Sequence, residues 1–142
     1  MTRVIHADLE VFLIGWLARE LAKRPEDFCK RVAVANHEPD PGPAFPDRLV
    51  VIRSDGGPSE SIVTDAIDVG VSVFAGERTL PQDAIDLART VRALLSDVAA
   101  VEPGNPVAAV RESNGPYRVV EAQQRTRLYM TFVMVVAGVA LT

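Results

Sequence analysis

Few side chains in this chain have the chemistry of a nucleophile or a metal ligand. Its 142 residues include one cysteine, Cys29, and two histidines, His6 and His37. A thiol oriented by an imidazole can act as a nucleophile, but a lone cysteine is more often a small buried apolar residue. We therefore expect Cys29 to be buried and His6 to lie on the surface, and we expect no metal cluster and no disulfide framework.

Two further groups of residues have the spacing of a site. Asp83 and Asp86 lie three residues apart on one face of a predicted helix, where two carboxylates could share acid–base work. No cysteine, histidine or lysine accompanies them in sequence, and compensation of the helix dipole explains their position. The glycines of the segment 55–58 lack the later glycine, lysine and hydroxyl residue of a phosphate loop and indicate a turn between strands. The sequence thus predicts no catalytic residue, no cofactor and no enzyme.

The charge of the chain is unfavourable for nucleic-acid binding. The formal net charge is −4 and the isoelectric point is near 5.1. Without a net basic field, the electrostatic footprint of a nucleic-acid binder is missing, so we expect no specific nucleic-acid partner. Basic residues near the C-terminus are interleaved with tyrosines and glutamates: Arg111, Glu112, Tyr117, Arg118, Glu121, Arg125, Arg127 and Tyr129.

The acidic excess is confined to the middle of the chain. Between Ser54 and Ala100 there are eight carboxylates and three arginines, whereas the remainder of the chain carries a net charge of +1. If the elements of this segment are neighbours in the fold, their carboxylates form one acidic face. The simpler interpretation is a solvated surface that keeps the protein soluble.

Neither end of the chain has the pattern of a membrane segment. Asp8 and Glu10 interrupt the N-terminal residues too early for a secretory signal peptide, so we expect a cytoplasmic origin. Residues 128–142 are uncharged but fall short of the roughly 20 apolar residues of a spanning helix. Their β-branched and aromatic content is typical of a long strand, and we expect no membrane partner.

The first helix is predicted from the N-cap Asp8 to about Lys23, just before Pro25. An all-round apolar helix is normally covered on more than one side, and in a small domain another subunit can supply the second cover. The core-facing stripe is predicted at Leu9, Phe12, Leu13, Trp16, Leu17 and Leu21. The opposite side is also apolar, with Val11, Ile14, Gly15, Ala18 and Ala22.

The segments up to the second helix predict three strands and one long loop. Strands are expected at 31–37, 48–53 and 66–75, and the last is predicted to be half-buried because its apolar residues alternate. The loop 38–47 contains four prolines, which exclude a helix or a strand ladder. A second helix is predicted from an N-cap at Thr79, with Gln82 at the capping-box position, to about Ala100.

The C-terminal third predicts three more strands. Strands at 107–112 and 117–121 flank a predicted turn at 113–116, and residues 123–127 lead into a long last strand at 128–142. The order α-β-β-β-α-β-β-β predicts one α+β domain over residues 1–142, with a mixed, mainly antiparallel sheet of about five or six strands flanked by two helices. Because both faces of the last strand are apolar, the candidate subunit-interface residues are Val11, Ile14, Ala18, Tyr129, Thr131, Val133 and Val135.

This order of elements resembles the tail terminator proteins of long-tailed bacteriophages, small subunits also described as minor tail proteins. The resemblance extends over nearly the whole chain and lies in the pattern of elements rather than in a single motif. Its features are the helix at Asp8–Glu10, the proline-rich loop before Arg48–Arg53, Gly56 with Gly57, the segment Asp68–Ala75, the helix at Ala84–Leu95 after Thr79, and the closing strand from Tyr129.

The resemblance implies a homo-oligomeric ring of six subunits at the head-proximal end of the tail tube. Such a ring stops polymerisation of the tail tube protein and provides the surface that joins head-tail connector proteins. It also implies assembly in the host cytoplasm, location in the virion, and a lumen through which DNA passes without specific binding. Candidate carboxylates for the lumen are Asp65, Asp68, Asp83 and Asp86.

Three alternatives remain open from the sequence. Neck proteins that connect head to tail share a similar small α+β plan, so a head-tail connector is the nearest alternative. A small binding module without a role in a virion is the second. A small enzyme is the third, and it would need a site among Cys29, His37, Asp83 and Asp86.

Overall fold

A computed structural model describes residues 3–61, 63–77, 79–120 and 125–141. Within these residues the fold is a six-stranded mixed sheet with two α-helices, which confirms the predicted α+β class. The strands are β1 (Val4–His6), β2 (Ala33–Ala35), β3 (Arg48–Ser54), β4 (Thr64–Ala75), β5 (Val107–Val119) and β6 (Thr126–Ala140). The helices are α1 (Leu9–Ala22) and α2 (Gln82–Ser96), and a short 3₁₀ turn spans Asp27–Cys29.

Strand β6 is the centre of the sheet. It pairs with β4 along one side, with β5 along the other and with β1 at its end, and β3 and then β2 follow beyond β4. The β2–β3 pair is parallel, and all other pairs among these strands are antiparallel. Strand β1 was not predicted, because three residues before a helix are too few for a periodic pattern.

Both helices pack on the same side of the sheet, which we call the helical face. Alternation along the strands directs Val69, Val71 and Val73 of β4 toward the helices, together with Met130 and Phe132 of β6. The opposite side, which we call the open face, carries Arg53, Asp68, Gly70, Ser72, Glu112, Tyr129, Thr131 and Val133.

Helix α1 begins and packs as its sequence predicts. The Asp8 carboxylate accepts a hydrogen bond from the backbone N–H of Val11 at 3.1 Å and so caps the helix. The buried stripe is Leu9, Leu13, Leu17 and Leu21. Glu10 anchors the helix to the sheet, because its carboxylate accepts hydrogen bonds at 2.9 Å from the backbone N–H of Ser54 and from the side-chain amide of Asn36.

The prediction that the strand at 66–75 is half-buried was wrong. From Val69 to Ala75 both sides of β4 are buried. The proline-rich loop covers part of the open face, because Phe45 lies buried with its ring edge-on to Phe74 at 5.6 Å between centroids. The loop itself contains no helix or strand between Glu38 and Asp47, as predicted.

The predicted start of α2 was also wrong. The N-cap is Pro81, and no side chain caps the helix. Thr79 lies in a tight turn that the backbone N–H of Leu80 closes onto the Glu77 carbonyl at 3.0 Å, so it precedes the helix. The Gln82 amide donates to Asp86 instead of returning to a cap, and the helix ends at Ser96 rather than near Ala100.

One predicted turn lies inside a strand. The segment 113–116 belongs to the continuous strand β5, whose register against β6 shifts at three places. Bulges of this kind absorb residues such as Gly115, which adopts φ 93°, without ending the strand. The segment 55–58 connects β3 and β4 as predicted, and within it the Gly56 carbonyl accepts from the Asp68 N–H at 2.9 Å. Residues 121–124 lie outside the described residues. They include the end of the strand predicted at 117–121 and the start of the segment 123–127 that leads into the last strand.

Replacing Phe45 with alanine tests whether the loop is part of the folded core. We expect Phe45→Ala to lower the free energy of unfolding by about 3 kcal/mol, because it removes a buried ring and leaves a cavity over Phe74. Chemical denaturation followed by circular dichroism measures this change. The neighbouring Ala44 is exposed, so Ala44→Ser serves as the control and should change the free energy by less than about 0.5 kcal/mol. Equal stability of the two variants would show that the loop does not contribute to the core.

Candidate assembly surfaces

The residues singled out for catalysis do not form a site. Cys29 lies in the core beneath the helices, whereas His37 lines a recess on the open face with Arg53 and Arg127. Burial raises the pKa of the Cys29 thiol above its usual range and so disfavours the nucleophilic thiolate. Cys29 and His37 therefore lie on opposite sides of the sheet and cannot act together.

The two aspartates of α2 have separate partners. Asp83 lies 3.2 Å from the guanidinium of Arg48, and Asp86 accepts a hydrogen bond from Gln82 at 2.9 Å. Arg48 also donates to the carbonyls of Asp27 and Lys30 at 2.9 and 3.0 Å. The Asp83–Arg48 contact therefore joins α2 to the 3₁₀ turn and to β3, which is a structural role.

We predicted that His6 lies on the surface, but the structure places it in a half-buried contact. Its Nδ1 lies 3.3 Å from the Asp65 carboxylate, and both side chains are only 22% exposed. The ring packs over Gly138, where a methyl group would meet it at 3.2 Å. The contact holds the short strand β1 against β4 and β6.

Two other kinds of site are missing from the part of the chain that the structure describes. Within it, no group of three or more histidine, cysteine, aspartate or glutamate residues is placed to hold a metal ion. No helix there is long and apolar enough to cross a membrane.

The outward side of α1 presents small apolar residues and one arginine. Val11 is 65% exposed, and Ala18 and Ala22 are exposed as well. The guanidinium of Arg19 folds back over Gly15, 3.2 Å from the point where a Cβ would lie. We call Val11, Gly15, Ala18, Arg19 and Ala22 the outer face of α1. Ile14, predicted as an interface residue, is half-buried and packs against the core instead.

The other candidate interface residues lie at alternate positions of β6, on the open face. Tyr129 lies across β4, because a methyl group at Gly70 would lie only 2.5 Å from its hydroxyl oxygen. Thr131 and Val133 are half-buried, and Val135 is buried with 7% exposure. Part of this strand face is therefore occupied within the subunit, and the accessible part is centred on Thr131 and Val133.

A row of contacts between aromatic side chains and one guanidinium crosses the open face near the start of β6. The Arg127 guanidinium lies over the rings of Phe74 and Tyr129, at 5.6 and 5.9 Å from their centroids. The Tyr129 ring lies 6.2 Å from that of Tyr117 on the edge strand β5. With Phe45 on Phe74, this row extends from the proline-rich loop to the opposite edge of the sheet and stiffens that part of the open face.

The four candidate lumen carboxylates do not lie together. Asp65 and Asp68 are three residues apart on β4, so their side chains project from opposite faces of the sheet. Asp83 contacts Arg48, which pairs with Ala75 at the other end of β4. About ten strand residues, or roughly 33 Å, separate that end from Asp65.

A different set of carboxylates does come together on the open face. Asp68 pairs with Val133, and Val133 pairs with Glu112 on β5. On the other side, the Asp55 N–H donates to the Asp68 carbonyl at 2.8 Å. We call Asp55, Asp68 and Glu112 the carboxylate row. Sequence analysis missed it because its three residues come from separate segments, which only the register of the strands aligns.

Sequence analysis also missed an apolar patch at one end of the sheet. Four large side chains that are each at least 50% exposed lie where β1, β6 and the β3–β4 connection meet: Ile5, Val63, Val139 and Leu141. Beside them a groove of about 470 Å³ is lined by Ala7, Pro106 and Ala137. We call these four residues the end patch. Contiguous exposed apolar patches are a feature of surfaces that bind other proteins, membranes or ligands.

Comparison with known proteins identifies no family for the chain. No protein-family model matches it, and no curated protein matches it.

The inert character of Cys29 can be tested by alkylation. In native protein at pH 8 we expect iodoacetamide to leave Cys29 unmodified, because burial both blocks access and raises the pKa of the thiol. In denaturant the single thiol should react completely, and mass spectrometry counts the added groups. Cys29→Ser confirms that no other residue is modified. Rapid labelling of the native chain would contradict the buried position of this residue.

Proposed function

We propose that the chain is a ring-forming tail terminator of a long-tailed bacteriophage. In this role it caps the head-proximal end of the tail tube, stops polymerisation of the tube protein and offers the surface for head-tail connector proteins. The ring is a homo-oligomer, six subunits by analogy with the proteins that the chain resembles. It assembles in the host cytoplasm and is carried in the virion.

The observation that carries this proposal is the presence of two different uncovered surfaces on opposite sides of one sheet. The outer face of α1 lies on the helical side, and Thr131 and Val133 lie on the open face. A ring requires two unlike surfaces on each subunit, because a head-to-tail contact closes only by repeating one rotation. A subunit with one self-complementary surface would form a dimer instead.

The end patch supports a further contact outside the ring. It lies at one end of β6, a strand of 15 residues that is about 50 Å long. A subunit in a terminator contacts its ring neighbours and also a different protein above or below the ring. We assign Ile5, Val63, Val139 and Leu141 to that second kind of contact, with the tube protein or a connector as partner.

The candidate lumen residues are divided between β4 and α2. Only Asp83 and Asp86 of the four candidates share a helix, and both lie in the first two turns of α2. We assign the lining of the lumen to the outward side of α2. There the Asp86 carboxylate would repel the phosphates of passing DNA and keep it from adhering, whereas Asp83 is paired with Arg48.

Assembly of tail tubes in the presence of the chain tests the function. The first step is to look for a tail tube gene beside the gene of this chain. The tube protein that it encodes is then polymerised with and without the chain, and tube lengths are measured by negative-stain electron microscopy. We expect the chain to stop elongation and to add ring density at one end of each tube. Unchanged lengths with no added density would refute a terminator, and binding to head connectors alone would favour the connector alternative.

A pair of valine variants tests the role of the end patch. Val139 and Val101 are both exposed, at 68% and 109%, but Val101 lies in the loop after α2, outside the end patch. We expect capping by Val139→Asp to require a protein concentration at least about tenfold higher, because an apolar contact becomes a buried charge. Val101→Asp is the control and should cap normally. Equal capping by both variants would remove the end patch from the proposal.

A further inference from the structure

The carboxylate row gives this part of the open face a negative charge that the subunit neutralises only at Asp55. Asp68 and Glu112 are exposed and have no ion pair among the described residues. The Asp55 carboxylate lies 4.0 Å from the guanidinium of Arg53, which is a long distance for an ion pair. Strand spacing places Asp68 and Glu112 about 10 Å apart, one on each side of Val133. The row borders a recess of about 320 Å³ that Asn114 and Thr131 also line.

The outer face of α1 has the complementary chemistry. Buried residues Leu9, Leu13, Leu17 and Leu21 occupy one side of the helix, so the residues at the opposite angle point away from the sheet. That opposite side combines Val11 and Ala18 with Arg19, whose guanidinium has no ion pair in the described structure.

We propose that the outer face of α1 in one copy docks on the open face of the next copy, with Arg19 between Asp68 and Glu112. Val11 and Ala18 then pack on Thr131 and Val133, while the guanidinium meets the unneutralised carboxylates. The occupant of the open face is therefore a second copy of this chain. The contact deepens the proposed ring and rests on the proposed function.

The charges also determine the direction of the contact. Two open faces that meet at their carboxylate rows would oppose like charges, and two outer faces of α1 would oppose two arginines. Like charges placed across an interface are strongly unfavourable, so both symmetric pairings are disfavoured. The favoured contact joins unlike surfaces and repeats head to tail, which is the geometry that closes a ring.

Charge reversal on each surface tests this contact. The variants are Arg19→Glu and Asp68→Arg in the full chain, measured by analytical ultracentrifugation and native mass spectrometry without tubes. Each variant alone should associate at least about tenfold more weakly than the unsubstituted chain, because each opposes like charges. Mixing the two variants should restore association, since the introduced glutamate then meets the introduced arginine and the remaining Arg19 meets the remaining Asp68. The restored species should contain the two chains in equal numbers, alternating around the ring.

Two further charge reversals serve as matched controls. Arg89 on α2 and Asp97 directly after it are exposed and lie on neither proposed surface. Arg89→Glu and Asp97→Arg should therefore associate as the unsubstituted chain does. Circular dichroism of all four variants shows whether each retains its fold.

Each other result overturns the inference without deciding the function. If the unsubstituted chain is monomeric up to millimolar concentration, isolated copies do not make this contact. If Arg19→Glu and Asp68→Arg each form rings as readily as the unsubstituted chain, another surface joins the subunits. If the two variants keep their rings and lose only tube capping, the open face binds a different protein. The function itself is decided separately by the tube lengths.

Discussion

The register of β6 is the constraint on which the rest of the structure depends. This strand of 15 residues contacts β4, β5 and β1, so it determines which side chains of each partner face the helices. Its even-numbered residues from Leu128 to Val136 enter the core, and burial of each such side chain contributes about 1.5–3 kcal/mol. A shift by one residue would exchange these side chains with those of Tyr129, Thr131, Val133 and Val135.

The elements that the sequence predicts well are those specified by local spacing. The leucines of α1 recur at intervals of four, and Asp8 stands where an N-cap is required, so both the helix and its buried side were predicted. Strand β3 was predicted nearly to its last residue for the same reason, since its apolar run ends at Arg53. The helix at 82–96 was placed, but its cap was not, because the turn at Leu80 depends on contacts with Glu77.

The errors have a common physical cause in partners that are distant in sequence. Gly115 and Pro116 have the composition of a turn, yet β6 offers a continuous ladder and the strand passes through them with bulges. Arg92 of α2 holds that region by donating to the Ser113 hydroxyl at 3.1 Å and to the Gly115 carbonyl. Similarly, β4 alternates like a half-buried strand, and its second side is covered by residues distant in sequence, among them Phe45, Arg127 and Tyr129.

The candidate surfaces show the same division between local and distant determinants. Apolar residues on the outer side of α1 and on β6 could be recognised one segment at a time, but the carboxylate row requires three segments in register. That row changes which partners the apolar strand face beside it can bind. An uncharged apolar face would bind any apolar surface, including a second open face, and would favour aggregation. Asp68 and Glu112 on either side of Val133 restrict its partners to surfaces that bring a cation with their apolar residues, and the outer face of α1 carries both.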